Sequence, residues 1–117
     1  LLLDGAHSNT SAQNLYNHLK TLNGPIYGVW AMQRNKMPSK FLKNFHGIFK
    51  KIITMKIDSE SNSCTAEELR EIAIKKGYSV DKEKNIQDAL KKLSSNKAKT
   101  ICVFGSLYHV GYVLSKN

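Results

Sequence analysis

The sequence predicts an α/β domain built on an open, mostly parallel sheet of five to six strands, with helices on both faces. Short apolar runs alternate along the chain with segments whose apolar residues recur at helical spacing, and turn residues separate the two. Such alternation is typical of parallel sheets. Several of the runs are continuously apolar, which is typical of strands covered on both faces.

In the first half of the chain the pattern predicts three strands and two helices. The strands are predicted at residues 1–3, 26–32 and 52–57, and the helices at about residues 10–22 and from Pro38 to Phe45. The first strand runs into the turn Asp4-Gly5. The first helix ends at Asn23-Gly24-Pro25, because glycine suits the position after a helix and proline cannot continue one. Pro38 fits the first turn of a helix, where its missing N–H costs nothing.

The second half continues the alternation. It predicts a helix from Thr65 to Gly77, a short strand at residues 78–80, a helix beginning at Asn85, a strand at residues 99–104 and a final helix opening at Ser106 that buries Leu107, Val110, Gly111 and Leu114. The clearest local signal is a capping box, in which the Thr65 hydroxyl accepts from the Glu68 N–H and the Glu68 carboxylate reaches back. The order of elements is that of a Rossmann-like domain.

Composition sets the size and surroundings of the domain. A chain of 117 residues, 41% of them hydrophobic, is one domain's worth. It contains neither an apolar run near the roughly 18 residues of a membrane span nor a signal peptide, so we expect no membrane association. Cys64 and Cys102 are far apart and form no CxxC motif, which favours a reduced, cytoplasmic protein. Because His18, His46 and His109 have no ligand spacing, we expect no metal site.

The net charge of +9 has two interpretations. A basic surface can meet nucleic acid or another polyanion. However, sixteen lysines accompany only two arginines, whereas proteins that read nucleic acid rely on arginine and interleaved aromatic residues. The composition therefore favours lysine as a solvating residue over nucleic-acid binding.

Three loops follow the carboxyl ends of predicted strands, where ligands bind in open parallel sheets. They are Asp4 to Asn9, Gln33 to Met37, and Gly105 to Tyr108. From the residues alone, Asp4 either accepts the hydroxyls of a ribose or caps its turn.

The other candidate side chains in these loops also have two interpretations each. His7 either contacts a ligand or makes a hydrogen bond at the start of a helix. Ser106 precedes a predicted helix whose N–H groups and dipole favour an anion, and it is an N-cap in either case. Arg34 and Lys36 either meet a phosphate or carboxylate or are solvated.

Two motifs carry a family resemblance: Asp4-Gly5-Ala6-His7 after a short apolar strand, and the stretch from Phe104 to Leu114 that begins Phe-Gly-Ser-Leu-Tyr. They resemble the C-terminal domain of folylpolyglutamate synthase/dihydrofolate synthase, a member of the Mur ligase superfamily of ATP-dependent amide-forming ligases. The likeness is collinear over nearly the whole chain and includes Lys36 and the segment Ala66 to Leu69.

The resemblance implies that residues 1–117 form a single Mur-ligase-type C-terminal (glutamate ligase) domain. The family adds L-glutamate to folates or dihydropteroate, as part of folate biosynthesis and one-carbon metabolism. The resemblance also implies that Asp4 contacts the nucleotide ribose and that His7 lies near the phosphate and the incoming glutamate. Ser106 and Tyr108 fall in the part of the family's site associated with the amino acid.

The chain also departs from the family. It contains no GxxxxGK[ST] motif, so we expect the N-terminal ATPase domain to be absent from this chain. That domain, as a partner, would hold ATP and Mg. Folate and glutamate would be the substrates. Ser8-Asn9 replaces the usual Asn-Pro, and Met37 replaces an Asp. Alone, the chain is expected to form no amide bonds. The alternative is a stand-alone or relic binding module without ligase activity.

Overall fold

The computed structural model describes residues 9–94, 99–105 and 112–116. The helices are α1 (Asn9–Leu19), α2 (Pro38–Lys43), α3 (Ala66–Lys75) and α4 (Ile86–Leu93), with a 3-10 turn at Arg34–Lys36. The strands are β1 (Ile26–Ala31), β2 (Phe49–Thr54), β3 (Val80–Lys82), β4 (Lys99–Gly105) and β5 (Tyr112–Lys116). The strand predicted at residues 1–3 lies outside the described residues. Among the described residues, no helix is long and apolar enough to cross a membrane.

The strands form one sheet in the order β3-β2-β1-β4-β5. The first four are parallel, and β5 pairs antiparallel with β4 at the edge. From β1 the chain adds β2 and β3 on one side, then crosses the sheet through α4 to place β4 on the other side of β1. The predicted α/β class with a mostly parallel sheet is therefore confirmed, with five strands in the described part of the chain.

Helices cover both faces of the sheet, as predicted. On one face the buried helix residues are Ala12, Leu15, Leu19, Phe41, Leu42, Leu69 and Ala73, from α1, α2 and α3. On the other face Ala89 and Leu93 of α4 pack on Val29, Ala31, Ile53, Ile101 and Val103 of the sheet. Strands covered on both sides explain the uninterrupted apolar runs of the sequence.

The core is densest around the ring of Phe104, near the end of β4. Its ring centroid lies 4.8 Å from that of Phe49 and 5.1 Å from that of Phe45, and 5.9 Å from that of Trp30. Each such pair contributes about 0.5–1.5 kcal/mol beyond the area it buries. Gly28 lies beneath these rings: a Cβ at that position would be 2.8 Å from Phe104 Cε1 and 3.1 Å from Phe49 Cδ1. The glycine therefore makes room for two aromatic rings on the central strand.

The capping box predicted at the start of α3 is present. The Glu68 N–H donates to Thr65 Oγ1 at 3.0 Å, and the Thr65 N–H donates to Glu68 Oε1 at 2.9 Å. The α4 helix has the simpler cap, in which Asn85 Oδ1 accepts from the Asp88 N–H at 2.8 Å. Two helix starts could thus be predicted from local sequence, because the capping hydrogen bonds join residues only three positions apart.

The predicted final helix is wrong at its carboxyl end. Leu114, expected on its buried side, lies in β5, whose residues Tyr112 to Lys116 pair with β4. Aromatic and β-branched residues such as Tyr112 and Val113 favour strands, and pairing gives the edge of β4 a partner for its free backbone groups. The beginning of that predicted helix, from Ser106, lies outside the described residues.

The boundaries of two strands also differ from the prediction. The strand predicted at residues 78–80 is β3, Val80–Lys82. The strand predicted at residues 52–57 is β2, Phe49–Thr54. Lys50 and Lys51 interrupt the apolar pattern at its start, and Lys51 is accommodated because its ammonium binds the Asp81 carboxylate at 2.6 Å. A polar strand start with a partner thirty residues away carries no local signal.

Replacement of Gly28 by alanine tests the packing under Phe104. Gly28 has no positive φ, so the new methyl group adds a clash without backbone strain. We expect the free energy of unfolding to fall by about 1–3 kcal/mol, as for overpacked cores. Urea unfolding followed by circular dichroism measures it. The control is Ser39→Ala, at an exposed position on α2. Equal stability of Gly28→Ala and wild type would contradict this account of the core.

Candidate functional site

The candidate site lies at the carboxyl ends of β1 and β4. These strands are neighbours in the sheet, with Ala31 paired to Gly105 at their ends. The chain leaves β1 toward β2 on one side and arrives at β4 on the other, so the strand order reverses between them. In open α/β sheets, ligands bind outside the carboxyl ends of strands at such a reversal. Two of the three predicted loops, Gln33 to Met37 and the one beginning at Gly105, therefore start side by side.

Gly105 ends β4 in a way that only glycine allows. Its φ is +91°, and a Cβ would lie 2.2 Å from the Ala31 carbonyl oxygen and 2.8 Å from Trp30 Cδ1. A side chain at this position is excluded twice, by the backbone conformation and by the neighbouring strand. The Gly-Ser of the sequence motif thus has a structural reason: its glycine lets two strand ends approach closely.

Trp30, the only tryptophan of the chain, lies at the same edge. It is fully buried, and its Nε1 would be 3.1 Å from a Cβ on Gly105. Within the described part of the chain this indole N–H has no hydrogen-bond acceptor. An unpaired buried donor costs about 1–3 kcal/mol, so the edge carries a donor whose acceptor is not among the described residues. Sequence reasoning missed it, although a polar N–H in an otherwise apolar strand was a usable signal.

The loop after β1 is held against the start of α3 by an ion pair. Arg34 Nη2 lies 2.6 Å from Glu68 Oε1, and Arg34 Nε donates to Glu68 Oε2 at 3.2 Å. The Arg34 N–H also donates to the Asn62 carbonyl at 2.9 Å. The Arg34 hydrogen bonds, followed by the N–H of Thr65, lower the pKa of Glu68 from an ordinary 4.5 to about 2. One carboxylate therefore caps a helix and anchors the candidate loop.

Lys36 and Met37 complete this loop. Lys36 is half-buried at the end of the 3-10 turn and, within the described residues, its ammonium makes no ion pair. Met37 has φ 55° and is 59% exposed, which is unusual for a large apolar side chain. The loop thus presents one apolar side chain and one cation that has no acidic partner among the described residues, beside the paired Arg34.

Neither a reactive thiol nor a metal-binding group is found among the described residues. Cys64 and Cys102 are free and buried, and burial raises the pKa of each thiol. Buried thiols of raised pKa are poor nucleophiles. No group of three or more His, Cys, Asp or Glu side chains among the described residues is placed to hold a metal ion.

Comparison with known proteins decides the family. The family described as "Dihydrofolate synthetase, C-terminal domain" matches residues 1–116. The chain belongs to this family. No match to a curated protein was found.

Solved structures agree on the fold. The folylpolyglutamate synthase of Thermotoga maritima superposes with a TM-score of 0.73 and 26% identity, over 92% of this chain and 25% of that one. E. coli FolC in complex with ADP gives a TM-score of 0.73 and 20% identity, over 92% and 26%. Mycobacterium tuberculosis folylpolyglutamate synthase complexed with ADP gives 0.67 and 19%, over 77% and 21%. The chain spans about a quarter of the length of each.

The candidate residues of this dihydrofolate synthetase C-terminal domain divide into two groups. Arg34 and Lys36 are described: the Arg34 guanidinium binds Glu68, whereas the Lys36 ammonium makes no ion pair with a described residue. Asp4, His7, Ser106 and Tyr108 lie outside the described residues, and their roles stay predictions. Gly105, the residue before Ser106, pairs with Ala31 of β1 at the reversal of strand order.

Substitution of Gly105 by alanine tests the close approach of β4 to β1. The methyl group would have to occupy space within 2.2 Å of the Ala31 oxygen at a φ of +91°. We expect a loss of at least about 2 kcal/mol in the free energy of unfolding, from strain and overpacking together. The control is Gly77→Ala, where φ is +92° and nothing lies within 4 Å, so it isolates the backbone cost. Equal losses in both variants would refute the steric part of the argument.

The Arg34–Glu68 pair predicts a pH-dependent stability difference. The depressed pKa of Glu68 stabilises the fold fully above about pH 4.5, and this contribution is lost as the pH falls toward 2. Arg34→Gln should therefore be slightly less stable than wild type at pH 7, with the gap closing at acidic pH. Urea midpoints between pH 2.5 and 7 measure it.

The matched control for this prediction is Arg70→Gln on the same helix. Arg70 pairs with Glu67, but Lys82 also binds Glu67 at 2.9 Å, so the carboxylate keeps a partner. We expect a smaller gap that varies less with pH. The same profile in both variants would show that Arg34 has no specific anchoring role.

Proposed function

We propose that this domain is the glutamate-ligase part of an ATP-dependent folylpolyglutamate/dihydrofolate synthase, which adds L-glutamate to folates or dihydropteroate. The single observation that carries the proposal is the family match over residues 1–116. The strand order reverses between β1 and β4, and ligands bind at the carboxyl ends of strands at such a reversal. We call the carboxyl ends of β1 and β4, with the loops that follow them, the ligand edge. A P-loop motif is missing from the sequence, so the proposed enzyme needs an ATPase domain as partner.

The charge of the ligand edge suits anionic substrates. Nucleotide, glutamate and folate are all anions, and the loop from Gln33 to Met37 carries Arg34 and Lys36 without an acidic residue. Indeed, residues 5–57 contain no Asp or Glu. Since Arg34 is engaged by Glu68, Lys36 is the described side chain that we assign to a phosphate or carboxylate.

The described residues fit a nucleotide in part. The Lys36 ammonium lies on a segment at the ligand edge and is a donor of the kind an anion needs, whereas the neighbouring Trp30 N–H is buried. No ligand set for Mg is found among the described residues, so the ATPase domain would hold the ion. ATP, when bound, supplies the phosphoryl group that activates a carboxyl group for attack by the glutamate amine.

The domain's proposed contribution is positioning. Asp4 would hold the ribose hydroxyls, and His7, Ser106 and Tyr108 would orient phosphate and glutamate. Closing this edge over the ATPase domain excludes water and brings the amine to the activated carboxyl, which turns a bimolecular attack into a nearly intramolecular one. We also propose a cytoplasmic location, in keeping with two free cysteines.

The alternative is a binding module without ligase activity. The observation that favours it is Met37, an exposed apolar side chain at a position where the family usually has Asp. A carboxylate lost from the ligand edge weakens polar substrate contacts. The two functions differ in catalysis with a partner domain, not in fold.

Titration of the chain with Mg-ATP tests the proposed edge. We expect a dissociation constant of about a millimolar or weaker, because a few hydrogen bonds of about 0.5–1.5 kcal/mol each supply little more than 4 kcal/mol. Amide shifts should cluster at residues 4–9, 33–37 and 105–108, with a change in Trp30 fluorescence. Lys36→Gln should weaken binding about tenfold, and the control Lys91→Gln on α4 should not. Micromolar affinity, or shifts spread over all lysine-rich faces, would contradict the proposal.

Catalysis is tested by adding a family ATPase domain in trans. We expect ATP turnover that requires both folate and glutamate, and that falls at least tenfold in Asp4→Asn. If the ATPase domain is known to be competent and adding this domain does not change ATP turnover, the result would favour the binding module.

A further inference from the structure

A second cleft lies at the opposite, amino edge of the sheet. It encloses about 390 Å³ between the end of α1, the turn after α2 and the starts of β1 and β2. The apolar side chains that line it are the half-buried Leu22, Pro25 and Ile48, with Leu19, Ile26 and Phe49 buried beneath them. The volume lies in the range of small-molecule sites, and the lining is mixed, with more polar than apolar surface. The candidate ligand edge does not account for the cleft, because Ile26 and Phe49 begin their strands whereas the ligand edge is formed where strands end.

One wall of the cleft is a pair of rings held in place by an unusual turn. The centroids of the Tyr16 and His46 rings lie 4.8 Å apart at an interplanar angle of 59°. His46 has φ 49°, a conformation that few residues other than glycine adopt, and Gly47 follows at φ 73°. The Gly47 N–H donates to the Tyr78 hydroxyl at 2.9 Å, which fixes the turn to the core. Such local strain persists only where surrounding contacts enforce it.

The rim of the cleft carries lysines that have no acidic partner among the described residues. Lys20 and Lys50 line it, and Lys20 Nζ lies 5.5 Å from the centroid of the Tyr16 ring. The described ion pairs all use acids of α3 and β3 and the residue after β3, namely Glu67, Glu68, Asp81 and Glu83. Within the described residues neither rim lysine has an acidic partner, and residues 5–57 offer none in sequence.

We propose that this cleft binds a small organic anion with a planar apolar body, of the aromatic carboxylate class. The half-buried Leu22, Pro25 and Ile48 contact the body of the ligand, and the edge of the Tyr16–His46 pair packs against it. Lys20 and Lys50 neutralise the carboxylate and relieve the repulsion between their own charges. A bare inorganic anion makes no contact with the apolar part of the lining, and a neutral aromatic makes no ion pair with the lysines, so both bind more weakly.

Benzoate is the probe, and amide shifts of the full chain are the measurement. We expect a saturating set of shifts at Gly24, Gly47 and Ile48, with a dissociation constant on the order of a millimolar. Acetate lacks the planar body and benzyl alcohol lacks the charge, so each should bind at least tenfold more weakly. Equal shifts from benzoate and acetate would overturn the proposal, as would benzoate shifts centred on residues 33–37. Neither outcome would contradict the function proposed above, because that function depends on the ligand edge and not on this cleft.

Two variants and one control separate the site from bulk charge. The double variant Lys20→Gln/Lys50→Gln should weaken benzoate binding at least tenfold, and its control Lys84→Gln/Lys91→Gln, which removes the same charge elsewhere, should leave it unchanged. His46→Gly should weaken binding at least threefold without loss of stability, because glycine adopts the left-handed conformation readily. Equal weakening by both double variants, or none by His46→Gly, would overturn the proposal.

Discussion

The position of the Phe104 ring is the constraint on which the rest of the structure depends. This ring contacts aromatic rings from β1, β2 and the α2 segment, and it fits only because Gly28 on the central strand has no side chain. Interiors are close-packed, so a ring held on several sides fixes the separation of the elements that surround it. The helices α1 to α3 pack on this face of the sheet and take their positions from it.

The same residue connects the core to the ligand edge. Gly105 follows Phe104 directly, and its approach to the Ala31 carbonyl sets where the chain leaves the sheet. Trp30 packs on Phe104 with one side of its indole and lies next to Gly105 with the other. A change in the core would therefore reach the end of β4 through two neighbouring residues. Close packing of this kind holds a strand end in a fixed position relative to its neighbour.

Charge is divided between the two halves of the chain. All acidic residues except Asp4 lie in residues 58–88. Four of them, Glu67, Glu68, Asp81 and Glu83, form surface ion pairs with lysines and arginines. Exposed pairs of this kind stabilise a fold only weakly. Their larger effect here is on where positive charge stays available: the loop at Lys36 and the rim of the second cleft keep lysines without acidic partners among the described residues. Most of the net charge of +9 is carried by residues 1–57, which contain eight Lys or Arg and a single acid.

The sequence by itself determined the features that depend on neighbours along the chain. The α/β class, the capping box at Thr65 and the covering of both sheet faces follow from periodicity and three-residue spacings, and the structure confirms them. Tertiary structure alone decided the strand order, the pairing of Arg34 with Glu68 and the antiparallel β5, because these join residues that are distant in sequence or satisfy the edge of a neighbouring strand. Family motifs predicted a candidate ligand edge at Gly105, but only the tertiary structure showed why a glycine is needed there. Its left-handed backbone, the Ala31 carbonyl oxygen and the Trp30 indole together exclude a side chain.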